Sequence, residues 1–106
     1  MMMNTLDQEM KSIVQQLIES YKAEKVILFG SAAREETAAD SDFDFLVVKR
    51  DVPIRGIDRH RELLTKIRYK RASDFIVCTP SEVADRIAKG DPFMRDILAN
   101  GKVLYG

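Results

Sequence analysis

An α/β (α+β) fold, with helices flanking one small mixed β-sheet, is what this sequence predicts, and two patterns carry the prediction. Short β-branched or aromatic runs recur: VILF at 26–29, FDFLVV at 43–48, DFIVC at 74–78 and KVLY at 102–105. Each has the length of a strand, with turn or capping residues at its borders. Between them lie segments whose apolar residues return every three or four positions, the period of an amphipathic helix. The resulting order, helix–strand–helix–strand–helix–strand–helix–helix–strand, calls for helices packed on a single sheet.

The elements follow in order. Leu6, Met10, Ile13, Val14, Leu17, Ile18 and Tyr21 form one apolar stripe. Thr5 with Gln8 makes a plausible capping box at the start of that helix. After a polar break at 22–25, VILF reads as a buried strand ended by Gly30. Residues 31–36 are expected to form a short helix, and 37–41 a loop into FDFLVV. Pro53 and Gly56 mark the next loop. A helix is expected from about Ile57 to Lys70, with Leu63, Leu64 and Ile67 facing inward. In TPSE, Thr79 caps, Pro80 takes the first helical position and Glu82 closes a capping box. Gly90 ends that helix. Asp91-Pro92 repeats the device for a shorter helix stopped by Asn100-Gly101.

The chain has 106 residues, a length that fits one domain. Lys plus Arg and Asp plus Glu both number 17, so no global basic field is present and direct nucleic-acid binding is not expected. A lone cysteine, Cys78, excludes an internal disulfide, suits a reducing compartment and reads as a small core residue. No apolar run approaches the roughly 20 residues that cross a bilayer. The opening MMMNT lacks the plan of a signal peptide, so no membrane association and a cytoplasmic location are expected.

The chemistry is concentrated between Gly30 and Asp74. A strand that stops at Gly30-Ser31 and gives way to a helix would offer backbone N–H groups and a hydroxyl to phosphate. Neither GxxxxGK[ST] nor GxGxxG follows, so any phosphate site here has another design. Asp42 and Asp44 stand two apart at the mouth of a strand, so they share a face at about 6.5–7 Å spacing, with Phe43 and Phe45 turned away. Two carboxylates this close disfavour each other. Arg34 or a surface lysine could neutralise them, or they could ligate a hard divalent cation such as Mg²⁺. Asp74 repeats the placement at the head of another strand. Alone it could pair with Arg71. Together, a phosphate-ready turn and three strand-borne carboxylates supply the parts of two-metal phosphoryl chemistry.

Gly30-Ser31, ten intervening residues and Asp42-x-Asp44 resemble the GSx10DxD signature of nucleotidyltransferases with the DNA polymerase β-like fold. Arg34 and Ser41 match the longer form of the pattern, Asp74 falls at its third carboxylate, and FMRDILANGKVLYG is similar to the tail of the minimal members. The resemblance implies one minimal nucleotidyltransferase domain over residues 1–106. It implies that Gly30, Ser31 and Arg34 contact the nucleotide, and that Asp42, Asp44 and Asp74 hold two Mg²⁺ ions and carry catalysis. It further implies transfer of AMP from ATP to a tyrosine of a partner HEPN-type ribonuclease toxin, with this chain as antitoxin. Two alternatives stay open: a non-catalytic module that neutralises its partner by occlusion, and a small-molecule nucleotidyltransferase whose acceptor site lies on a separate chain. Between Lys49 and Arg71, nine Lys or Arg face three acids, a candidate docking surface for a partner of opposite sign. The same cations at 66–71 could instead complement the end of a helix. His60, the lone histidine, has no companions for a zinc site and reads as a solvated helix residue.

Overall fold

The computed structural model describes residues 5–33 and 42–106. Helix α1 (Thr5–Glu19) precedes strand β1 (Lys25–Phe29), and β2 (Phe43–Val48) follows. Then come α2 (Gly56–Lys66), β3 (Ser73–Cys78), α3 (Pro80–Ala88), α4 (Pro92–Asn100) and β4 (Lys102–Tyr105). The strands form one sheet in the order β3-β2-β1-β4. β1 runs antiparallel to β2 and β4, whereas β2 and β3 are parallel, so the sheet is mixed as the sequence predicts. A parallel pair needs a crossover, and α2 supplies it.

Alternation along the strands divides the core into two layers. On one face Val26, Leu28, Phe43, Phe45, Val47 and Phe75 pack with Ile13, Leu17 and Tyr21 from the α1 side and Leu63 and Ile67 from the α2 side. On the other, Ile27, Leu46, Val48 and Cys78 pack with Met94 and Ile97 of α4, and Val83 and Ile87 of α3 flank them. Burying each large apolar side chain is worth about 1.5–3 kcal/mol. That fixes the register, because slipping a strand by one residue would exchange its faces.

The second face is laid out in rows across β1, β2 and β3. Val48–Cys78, beside Lys25, and Ile27–Leu46–Ile76 form the two apolar rows beneath α3 and α4. The next row is Phe29–Asp44–Asp74. It carries the carboxylates because the helices' apolar stripe has ended. Cys78 is buried as expected, and burial pushes its thiol upward. Both caps also form as read: Thr79 Oγ1 accepts from Glu82 N while Glu82 accepts from Thr79 N, and Asp91 Oδ1 accepts from Phe93 N.

Several expectations need correction or fall outside the described residues. The helix expected to reach Lys70 ends at Lys66, with Ile67 extended. The cause is distant in sequence: the Gln16 side-chain amide bonds the backbone of Arg68 both ways, at 2.7 and 2.6 Å, as a neighbouring strand would. Only Lys66 therefore sits in the helix's last turn, so the dipole does not explain Arg68, Lys70 and Arg71. Leu64, expected inward, is 42% exposed, because the stripe that meets the core is Arg59–Leu63–Ile67. After Gly30, residues 31–33 form a turn; the remainder of the helix expected there, 34–36, and the loop 37–41 lie outside the described residues, as do the side chains of the Thr5 cap.

Candidate active site

The site begins where β1 stops. Gly30 turns the chain with φ at +75°, a conformation that L side chains rarely adopt. A Cβ there would also collide with the Asp44 carboxylate. The positive φ favours glycine, and the lack of a Cβ lets the backbone come directly against the acid. Ser31 follows, half-buried in the turn.

Asp42 stands just before β2 and Asp44 is its second residue, while Phe43 and Phe45 point into the opposite layer, as expected. Parallel register sets Asp44 beside Asp74. Asp42 and Asp74 are exposed and Asp44 is partly buried. Burial, then the charge of Asp74, then that of Asp42 hold the Asp44 carboxyl above the usual carboxylate range. The same three carboxylates singled out from sequence thus act on one another electrostatically. None of them takes a hydrogen bond or ion pair from another described residue. Arg71, the simple partner suggested for Asp74, pairs with Glu9 and lies over the Phe43 ring instead. Arg34 and Ser41 lie outside the described residues.

Among the described residues, no three His, Cys, Asp or Glu side chains converge to hold a metal ion unaided. The acids line an open row instead of closing a cage. That donor set still fits Mg²⁺, which usually takes only one or two carboxylates and completes its shell with substrate phosphate and water. A cation held here would also offset the burial and the two like charges that raise the Asp44 carboxyl.

Sequence reasoning missed two features, one beside this row and one at the opposite end of β3. Phe29, cross-strand neighbour of Asp44, meets Phe93 of α4 edge-on, with ring centroids 5.7 Å apart and planes at 87°. The available signal was that Phe93 falls off the Met94–Ile97 core stripe of its helix. The other is Arg59, 8% exposed, at the far end of β3. It donates to both carboxylate oxygens of Glu82 (2.7 and 3.1 Å) and to the carbonyls of Pro53, Ile54 and Val77. A cavity of about 550 Å³ opens beside it along β3, lined by His60, Phe75, Ile76, Cys78 and Arg86 among others. His60 itself is exposed.

A family model described as Polymerase beta, Nucleotidyltransferase matches residues 11–106. The chain belongs to this nucleotidyltransferase family. A proposed protein adenylyltransferase of Methanocaldococcus jannaschii is 32% identical to this nucleotidyltransferase over 85 residues, 76% of this chain and 56% of that protein. The chain therefore spans little more than half the length of that curated relative. The 1.40 Å crystal structure of a proposed nucleotidyltransferase from Sulfolobus solfataricus superposes with a TM-score of 0.56 at 26% identity, covering 76% of this chain and 78% of that one. The mixed sheet with flanking helices is thus a nucleotidyltransferase fold.

Proposed function

We propose that this nucleotidyltransferase moves AMP from ATP onto a hydroxyl of a partner protein, a tyrosine on a HEPN-type ribonuclease toxin, and so acts as its antitoxin in the cytoplasm. The observation that carries the reading is the meeting of Gly30, Asp44 and Asp74: backbone that only glycine can provide, pressed against carboxylates that no described cation neutralises. The name of the Methanocaldococcus relative supports a protein as acceptor.

Gly30 and Ser31 hold the β- and γ-phosphates through backbone N–H and the serine hydroxyl, and Arg34 adds a cation. Asp42, Asp44 and Asp74 hold two Mg²⁺ ions, which when bound offset the triphosphate charge. Asp74 positions the acceptor hydroxyl and takes its proton. The acceptor oxygen bonds the α-phosphorus in line, the bond from that phosphorus to the bridging oxygen breaks, and pyrophosphate leaves with the electron pair. Positioning and charge compensation do most of the work.

The docking surface belongs to α2 and its approach. Ile57 and Leu64 are exposed on the side of α2 opposite the buried Arg59 and Leu63, with Arg61 between them, and Ile54 is exposed just before the helix. Lys49, Arg50, Arg55, Arg59 and Arg71 have acidic partners. Arg61, Lys66, Arg68 and Lys70 make no ion pair among the described residues, which leaves them to meet an acidic partner.

The test incubates the protein with Mg²⁺, lysate from its native source, and ATP labelled on the α- or the γ-phosphate. Label in one protein band from α- but not γ-labelled ATP, lost with Asp42→Asn/Asp44→Asn, is the expected result. Label from the γ-phosphate would indicate a kinase and sink the mechanism. No label, with the double variant still neutralising its partner, would assign the protein to the occluding antitoxins.

A further inference from the structure

The acidic row accounts for phosphate chemistry and leaves the rest of the nucleotide without a partner. Next to Asp44 in that row stands Phe29, and on Phe29 rests Phe93. Cross-strand neighbours lie about 5 Å apart, so the Phe93 ring is one side chain removed from the Asp44 carboxylate. Phe29 is partly buried and packs against the Met94–Ile97 layer. Phe93, by contrast, is 48% exposed although it lies in the first turn of an otherwise well-anchored helix. The two planes are nearly perpendicular. Whichever ring supplies the edge, Phe93 keeps at least one π-face clear of Phe29. A rigid aromatic face held beside a phosphate site is what a nucleobase stacks on, and every base offers a matching face.

We propose that Phe93, braced by Phe29, is the stacking platform for the base of the nucleoside triphosphate. The proposal rests on the nucleotidyl-transfer reading above. A platform without hydrogen-bonding groups recognises a base by its flat surface, so affinity gained there is shared by purine triphosphates and smaller for pyrimidines. Phe93 is accordingly a positioning residue for the nucleoside, separate from the groups that handle phosphate.

Titration calorimetry with Mg²⁺ separates the two, using α,β-methylene-ATP and inorganic tripolyphosphate as probes on wild type, Phe93→Ala and Phe93→Tyr. Phe93→Ala should weaken the nucleotide analogue about tenfold and leave tripolyphosphate within about twofold, and Phe93→Tyr should restore the analogue's affinity. Unchanged analogue binding in Phe93→Ala would overturn the platform while leaving the phosphate site standing. So would an equal loss for both probes, which would mark Phe93 as structural. Wild type that binds neither probe would overturn the nucleotidyl-transfer reading and the platform with it.

Discussion

Two groups of charged side chains occupy opposite ends of β3, and they are built on contrary plans. At the C-terminal end, Arg59 is buried but complete: its guanidinium meets a carboxylate and three carbonyls, and Glu82 also accepts from Thr79. At the N-terminal end, Asp44 and Asp74 stand side by side with Asp42 near, all of one sign. The first arrangement lowers the carboxyl at its centre, to about 2 for Glu82, chiefly through the Arg59 hydrogen bond. The second raises the carboxyl at its centre, Asp44, through burial and like charge. A closed cluster spends its charges on holding the chain together. An open one of single sign repels itself, and none of the described cations supplies its counter-charge. Composition alone does not separate the two; the direction of the pKa shift does.

The sharpest way to break this contrast is Asp44→Asn. Nucleotidyl transfer should fall about a hundredfold or more, in line with the loss of one electrostatic stabiliser of a phosphoryl transition state. Urea denaturation in EDTA should find the variant no less stable than wild type, since a repelled carboxylate has gone. A marked destabilisation would make the open cluster structural after all. Arg59→Met should do the reverse, costing about 2–3 kcal/mol by urea denaturation. That estimate lies below the usual loss for a fully buried pair because Glu82 is 43% exposed. Its transfer rate per folded molecule should match wild type.

Gly30→Ala tests the open end again, through the backbone. The positive φ and the collision with Asp44 together predict a loss of about 1–2 kcal/mol and a large fall in activity. Full activity in that variant would detach the turn from the carboxylates. The smallest effect is on acid stability. Glu82 has a depressed folded pKa, so its contribution is present above its unfolded value near 4.5 and is lost as pH falls toward about 2. Asp44 has the opposite sign: its raised pKa lets the folded state take up a proton first, which favours folding as pH drops. Urea midpoints measured from pH 5 to 2 should therefore fall less steeply in Glu82→Gln than in wild type.

Much of this contrast was legible in the sequence, but unevenly. The carboxylate end was, because Gly30, Asp42, Asp44 and Asp74 are placed by local rules: a strand stop, a period of two and a strand head. The closed end was hidden. Nothing near Arg59 distinguishes it from the eight other cations of its segment, since its partners lie on α3 and on the approach to α2. The early end of α2 was hidden likewise, because the amide that competes for Arg68 belongs to Gln16, 52 residues away. Leu64 was misplaced by counting apolar residues instead of asking which stripe continues to Ile67. Long-range partners decide these points, and a local period cannot register them.

The parallel pairing of β2 with β3 has a further consequence, for how the molecule checks its own assembly. Asp44 and Asp74 become neighbours only in one alignment, and that alignment is chosen by Phe45, Leu46, Phe75 and Ile76 finding their own layers. A shift by one residue would deliver Ser73 or Phe75 to Asp44 and send Asp74 into the apolar interior. Apolar side chains on β2 and β3 therefore act as the proofreaders of the carboxylate row. A chain slipped by one residue would lose its core and its carboxylate pairing together, so the packing that makes the fold stable is also what certifies the row.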